Sequence, residues 1–358
     1  MLFLFMAKKK ILVAPLNWGL GHATRCVPII NALQESGFEP ILASDGDALQ
    51  LLRKEFPSLK TYVLPSYKIS YAKKGYFFKF KFLLRSYHVV KAIWAEQKAT
   101  LQIHKKENLN GIISDNRLGV RLSYVKSVFI THQLNVLSGS TTFITSWLHQ
   151  HYIRKFDTCW IPDVEFSPSL SGKLGHFKKK RKFEITYIGP LSRFSKKDIP
   201  LKYEYLFILS GPEPQRGILE KRLREEIRGS ENKILFICGK MEEEQKRWQE
   251  GNVTFYNFLT GKALENAFNE SKFIIARAGY TTIMDVAKLE KKAFFIPTPG
   301  QTEQEYLAKR LTRKNIAPSC KQHEFKLSLL KNLKDYNGLM EYKSFLPLSS
   351  FFHFFERK

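Results

Sequence analysis

Cysteine is scarce in this chain. Its four residues, Cys26, Cys159, Cys238 and Cys320, lie far apart and none forms a CxxC pair. That spacing excludes a thiolate zinc knuckle and a disulfide framework, and it fits a reducing cytoplasm. Cys159 and Cys238 sit inside apolar runs and read as small core residues. Long apolar stretches are missing too, so no segment is long enough to cross a bilayer as a helix. The opening MLFLFM is short and has its charge, AKKK, on the wrong side for a secretory signal. Because MAKKKILVAPL runs directly into a strand, Met6 is the expected biological start. No repeat at solenoid spacing occurs. Acidic residues are also few: 33 Asp and Glu against 58 Lys and Arg leave a formal charge of +25. Such an excess attracts nucleic acid, anionic lipid or phosphorylated substrates, and it is equally the mark of a merely lysine-rich surface.

What is present is a folded α/β pattern. Apolar residues make up 44% of a chain of 358, enough for two domains with separate cores. Short apolar runs rich in β-branched and aromatic residues recur at 11–16, 40–43, 61–64, 111–114, 127–131, 158–162 and 185–188. Amphipathic stretches separate several of them, as in 24–36, where Val27, Ile30 and Leu33 share a face and Gly37 stops the helix. Continuous apolar strands alternating with helices predict a parallel sheet covered on both faces. A polar, basic segment ending at Pro200 reads as a linker. Strand-like runs resume at 205–209, 234–238, 253–258, 273–276 and 293–296. The expectation is two doubly wound, Rossmann-like domains facing a central cleft: 1–195, 196–335, and an aromatic tail, 336–358, packing back across them.

Two glycine turns carry the chemistry. NWGLGHATR follows the first strand and opens the first helix. Gly19 and Gly21 allow close approach of a ligand to backbone, and the helix start offers unpaired N–H groups. The pattern is not GxGxxG, since Arg25 or a neighbour stands at the third glycine place, and no P-loop lysine follows. His22 lies at the carboxyl edge of the sheet, where α/β folds bind ligands. A neutral imidazole there can take a proton from a hydroxyl or from water. Asp115 ends a strand in the same half and is a candidate to orient that imidazole. Simple capping by either residue would leave the same sequence.

The second turn, RAGYTTIMDVAKLEKKAFFIPTPGQTEQEY, begins at Arg277, itself a candidate to contact the ligand. Gly279 turns the chain into a helix whose Thr281 and Thr282 hydroxyls and free N–H groups suit a diphosphate. Asp285 lies one turn further on the same face, where a carboxylate can accept both hydroxyls of a ribose. Gln304 and Glu305 open the next helix and are candidates for sugar hydroxyls. A further phosphate loop follows the strand at 205–209 and contains Ser210 and Gly211. Its Arg216 is a candidate to neutralise a departing diphosphate. No metal-binding motif stands at a strand end, so no metal or other cofactor is expected beside a bound nucleotide.

These residues resemble the GT-B glycosyltransferases, in particular the group containing the N-acetylglucosaminyltransferase of peptidoglycan lipid II synthesis. GLGH is similar to that group's glycine-rich GGH loop. ITHQLNVLSG, with His132, Gln133 and Asn135, looks like its HEQN stretch without the acidic residue. RAGYTTIMD is similar to the nucleotide helix, which puts Asp285 at the ribose position. QEY matches the paired glutamines, with Glu305 at the second. The resemblance implies a UDP-sugar donor, uracil held by backbone near Phe258 and Leu259, and an acceptor side built from Gly19, Arg25, His132, Gln133 and Asn135. GxGHxxR also resembles the UDP-sugar hydrolase of the pseudaminic acid pathway, which implies water as the alternative acceptor. A non-enzymatic polyanion binder is the third reading.

The stretch 67–90, YKISYAKKGYFFKFKFLLRSYHVV, interleaves cations with aromatics. It suits docking on an anionic leaflet or a lipid-linked hydroxyl acceptor, and equally an inward-packed helix; nucleic acid is the weakest of the three. A cytoplasmic protein, peripheral on the inner membrane face, is the corresponding expectation. The basic run 178–182 adds to the field and reads as a solvated loop.

Overall fold

The computed structural model of the chain describes residues 8–67, 78–137, 141–177, 183–240, 242–339, 342 and 346–356, with side chains left aside for 78–87. Most of the cationic–aromatic stretch, the 178–182 run and the first seven residues therefore lie outside the described residues.

Seven parallel strands form the first sheet: β1 Lys10–Pro15, β2 Glu39–Ser44, β3 Thr61–Val63, β4 Gly111–Asp115, β5 Ser127–Ile130, β6 Thr158–Ile161 and β7 Ile185–Tyr187. Their order is β3-β2-β1-β4-β5-β6-β7. Both faces are covered. Ile11 and Val13 of β1 join the core under α1 (Gly21–Glu35), while Leu12 and Ala14 join a separate core with Ile103 of α3 (Phe78–Glu107). This two-sided burial is why β1 reads as an unbroken apolar run instead of an alternating one. Helices α2 (Gly46–Glu55) and α4 (Thr142–Ile153) complete the domain.

The second sheet holds β8 Tyr203–Ile208, β9 Ile234–Ile237, β10 Arg247–Glu250, β11 Val253–Tyr256, β12 Ser271–Ala276 and β13 Lys292–Phe295, in the order β10-β11-β9-β8-β12-β13. It is parallel except at its edge, where β10 pairs antiparallel with β11. Its helices are α5 Gln215–Ile227, α6 Gly261–Asn269, α7 Tyr280–Lys288 and α8 Thr302–Arg313. The polar segment between the sheets is not a free tether. Leu191 and Phe194 are buried, the Ser195 and Lys197 amides bond to Glu265 and Asn269 of α6, and Phe194 packs on Phe268.

The chain then returns to its beginning. A 3-10 segment, Leu348–Phe355, lies on the first domain, with Phe352 against Phe38 and Trp160 and with Phe355 against Trp160. Lys9 and Lys126 donate to the carbonyls of Phe355 and Phe354.

Candidate active site

The site begins where adjacent parallel strands end. Pro15 of β1 is in register with Asp115 of β4, and Asp115 with Ile130 of β5. The chain leaving β1 bends at Gly19, whose φ of +70° is open to glycine, and enters α1 with His22 in its first turn. The chain leaving β5 reaches His132 two residues later. Three neighbouring strand ends thus deliver His22, Asp115 and His132 to one place.

Their geometry is that of a hydrogen-bonded row. Nδ1 of His22 lies 2.9 Å from Oδ1 of Asp115. Arg25, one turn further along α1, bonds both carboxylate oxygens, with Nε 2.5 Å from Oδ2. Its NH1 lies 3.1 Å from Nδ1 of His132 and its NH2 2.9 Å from Nδ1 of His22. A guanidinium only donates and a carboxylate only accepts. Nδ1 of His22 therefore serves Asp115 when protonated and Arg25 when bare, and the first arrangement leaves a lone pair on Nε2. Burial, then the charge of Arg25, pushes the His22 pKa below its ordinary value against the pull of Asp115. The ring is thus neutral, and able to accept a proton, at physiological pH. Burial alone would raise the Asp115 carboxyl, but the adjacent Arg25 and His22 hold it below the ordinary carboxylate range.

The second domain closes over this row. Gly21 touches the second domain: a Cβ there would lie 2.8 Å from Oγ1 of Thr281, which donates to the Gly21 carbonyl at 3.3 Å. Tyr280, first residue of α7, stacks on His132 with centroids 4.1 Å apart and an interplanar angle of 3°. From the first turn of α8, Glu303 accepts from Nε2 of His132 at 2.8 Å and from the Gln133 amide. Glu303 was not among the sequence candidates. An acidic residue in a helix's first turn is ordinary dipole complementation, and nothing local marks it as reaching the other domain.

The expected donor residues line one edge of the second sheet. Ala276 of β12 is in register with Ile208 of β8 and Phe295 of β13, so the loops after these strands are neighbours. Ser210 is exposed, Gly211 has φ +99°, and a Cβ on Gly211 would approach Oγ1 of Thr298 to 3.9 Å. Gly279 caps α7 in an extended conformation, with Thr281 and Thr282 in the first turn. Asp285 accepts from Oγ of Ser192 at 2.6 Å, and burial pushes its pKa up to about 7 against that hydrogen bond. Gln304 and Glu305 tie down the loop between β13 and α8: Gln304 bonds the Thr298 amide at 2.9 Å and Gln301 at 2.6 Å, and Glu305 bonds the Gly300 amide at 2.9 Å. Phe258 and Leu259 follow β11, and the Phe258 amide is taken by Asn257.

Four candidates are engaged otherwise than the sequence suggested. Arg216 is buried and bonded to Glu213, Glu220 and the Cys238 carbonyl. Its charge is already balanced, so it is not free to neutralise a phosphate. Arg277 is buried too, spanning the carbonyls of Ile296, Pro297 and Gln215 and the Gln322 side chain, and burial lowers its pKa to about 10. It braces the loops after β12 and β13. Asn135 stitches the loop after β5 to the carbonyls of Lys173 and His176. Arg25, read as acceptor-side, is instead the buried centre of the row.

Comparison with known proteins bears on the fold that carries these residues. Residues 214–340 match the glycosyltransferase family 28 C-terminal domain. MurG of Acinetobacter baumannii superimposes with a TM-score of 0.53 at 17% identity, over 92% of this chain and 90% of that one. The glycosyltransferase of kitacinnamycin gives 0.65 at 12%, over 92% and 90%. The spinosyn rhamnosyltransferase SpnG, solved with thymidine diphosphate, gives 0.61 at 14%, over 92% and 93%. No curated protein sequence matches the chain. At such identities the likeness is one of fold, and the fold is GT-B.

Proposed function

We propose that this GT-B protein, with its family 28 C-terminal domain, is a glycosyltransferase that moves a sugar from a UDP-sugar to a hydroxyl acceptor. The observation that carries the reading is the His22–Asp115 pair, 2.9 Å apart, set against the N-terminus of α7 through the Gly21–Thr281 contact. Asp115 holds the Nδ1–H of His22, and Nε2 accepts the proton of the attacking hydroxyl. As the acceptor oxygen bonds to the anomeric carbon, the bond to the diphosphate breaks and its electron pair leaves with UDP. The unpaired N–H groups of α7, with Thr281 and Thr282, meet the charge that develops there. Asp285 holds the ribose; Gln304 and Glu305 leave their loop contacts to meet the donor sugar.

An acceptor carried on lipid, presented at an anionic leaflet, is supported by α4. Phe143, Ile144 and Trp147 on this helix are 82%, 55% and 58% exposed, and Arg154 and Lys155 follow its end. Among the described residues no helix is long and apolar enough to cross a membrane. Attachment of this kind is therefore proposed as peripheral.

UDP release from a panel of UDP-sugars, with soluble acceptors and with acceptors in anionic vesicles, tests the proposal. His22→Ala is expected to lower turnover by about 10²–10⁴-fold while leaving the UDP-induced rise in melting temperature unchanged. Fast release without any acceptor, dependent on His22, would instead make water the acceptor. Absence of any thermal shift with uridine nucleotides would overturn both readings.

A further inference from the structure

The segment HQLN has no carboxylate of its own, and one reaches it from the other domain. Glu303 lies 171 residues along the chain from His132 and meets it with Oε1 2.8 Å from Nε2, while its other oxygen receives the Gln133 amide. Tyr280 covers the face of the same imidazole. His132 is thus held edge and face by the second domain, although its own strand belongs to the first.

The hydrogen-bond directions fix the tautomer. Arg25 can only donate, so Nδ1 of His132 is the acceptor at 3.1 Å. Burial alone would raise the Glu303 carboxyl, but the hydrogen bond from His132 and the nearby Arg25 charge hold it below its ordinary value, so it accepts and Nε2 carries the hydrogen. Every member of the row then has a defined role: Glu303 orients His132, His132 receives Arg25, Arg25 grips Asp115, and Asp115 holds His22. Without Glu303 the His132 ring is free to turn or change tautomer, and one arm of Arg25 loses its acceptor. Arg25 also has Nδ1 of His22 within reach of its NH2 at 2.9 Å. A loosened guanidinium therefore competes with Asp115 for the atom whose protonation leaves Nε2 available.

We propose that Glu303 is a positioning residue which the donor-side domain lends to the base of the acceptor-side domain, so that His22 is fully oriented only when the cleft is closed. This rests on the proposed function above. It adds that closure, and not only substrate binding, completes the base. Glu303 directly precedes Gln304, so a donor sugar drawing Gln304 toward itself acts on the same turn of α8.

Two readouts test it, one of which needs no turnover. In the full-length chain labelled with ¹⁵N-histidine, the His132 ring signals, assigned by their loss in His132→Gln, should report hydrogen on Nε2. In Glu303→Ala they should move toward the other tautomer or a mixture. In Glu303→Gln, whose amide oxygen still accepts from Nε2–H, they should stay. Kinetically, Glu303→Ala is expected to lower kcat about a hundredfold, the scale of a small misplacement, with KM for the UDP-sugar changed less than about threefold. Glu303→Gln should recover part of that loss, and Glu303→Ala should cost nothing further in a His22→Ala background. An unchanged His132 tautomer in Glu303→Ala, a kcat equal to that of the unaltered chain, or a Gln variant no better than the Ala variant overturns the assignment. If the unaltered chain turns over no UDP-sugar, the proposed function fails, and the tautomer measurement still decides the role of Glu303.

Discussion

Replacing Asp115 by asparagine isolates the link between the buried row and the imidazole. The carboxylate accepts from both His22 and Arg25, and an amide has one oxygen for the two of them. Arg25, with a permanent charge, takes that oxygen, and the amide NH2 turns to Nδ1 of His22. That reverses the bond: Nδ1 becomes the acceptor, the hydrogen moves to Nε2, and the base is lost. The expected fall in kcat is about 10²–10⁴-fold, as for other imidazoles held in the wrong tautomer. Raising the pH should not restore it, because Asp115 is a group that raises the His22 pKa and the defect is one of proton placement. The same change leaves the Arg25 charge buried with its main counter-charge gone, a loss of about 3–5 kcal/mol in this kind of setting. Glu303, behind His132, offsets a fraction of it. Urea unfolding reads the stability and UDP release reads the rate, both in the single variants and in the pair with His22→Ala. In the pair the stability loss should persist and the further rate loss should vanish. If the two rate losses multiply, Asp115 acts through something other than His22. If folded Asp115→Asn turns over within about threefold of the unaltered chain, the base assignment is wrong.

Two further outcomes follow from groups outside the row. The Asp285 carboxyl is pushed up to about 7 by burial, so the folded chain keeps a proton that the unfolded chain releases near an ordinary value of about 4. Through this group, stability falls as pH rises between those values and is flat beyond them. Asp285→Asn should therefore be about 1–3 kcal/mol more stable at pH 8 and equal at pH 4, while losing affinity for UDP; a difference independent of pH contradicts the argument. Phe352→Ala removes a buried ring packed between Phe38 and Trp160. It should cost about 3–5 kcal/mol in urea unfolding, and a cost below about 1 kcal/mol would mean that the tail is only laid on the surface.

The strands were legible because a parallel sheet buried on both faces leaves unbroken apolar runs. Strand β10 was missed for the opposite reason: RWQE is largely exposed at an antiparallel edge and has no such run. The ends of β1 and β4 marked His22 and Asp115, since ligand chemistry in these folds gathers at carboxyl edges. Their pairing distance could not be read, because it depends on which strands become neighbours. Arg216 and Arg277 show the limit most clearly. A cation after a strand is the same letter whether it awaits a phosphate or already answers Glu213 and Glu220, as Arg216 does. Glu303 was hidden for the same reason, its partner lying on another domain.

The C-terminal aromatics have a consequence for synthesis. Trp160 and Phe38 are covered by Phe352 and Phe355, which leave the ribosome after the second sheet and its helices. The first domain is thus discontinuous in sequence, and its apolar seam stays open while the whole of the second domain is being made. Growing chains carry that sticky surface until Leu348–Phe355 emerges, and up to then a helper protein or a nascent neighbour can bind it. A premature stop just after α8 would spare the second sheet and still leave the first domain unsealed.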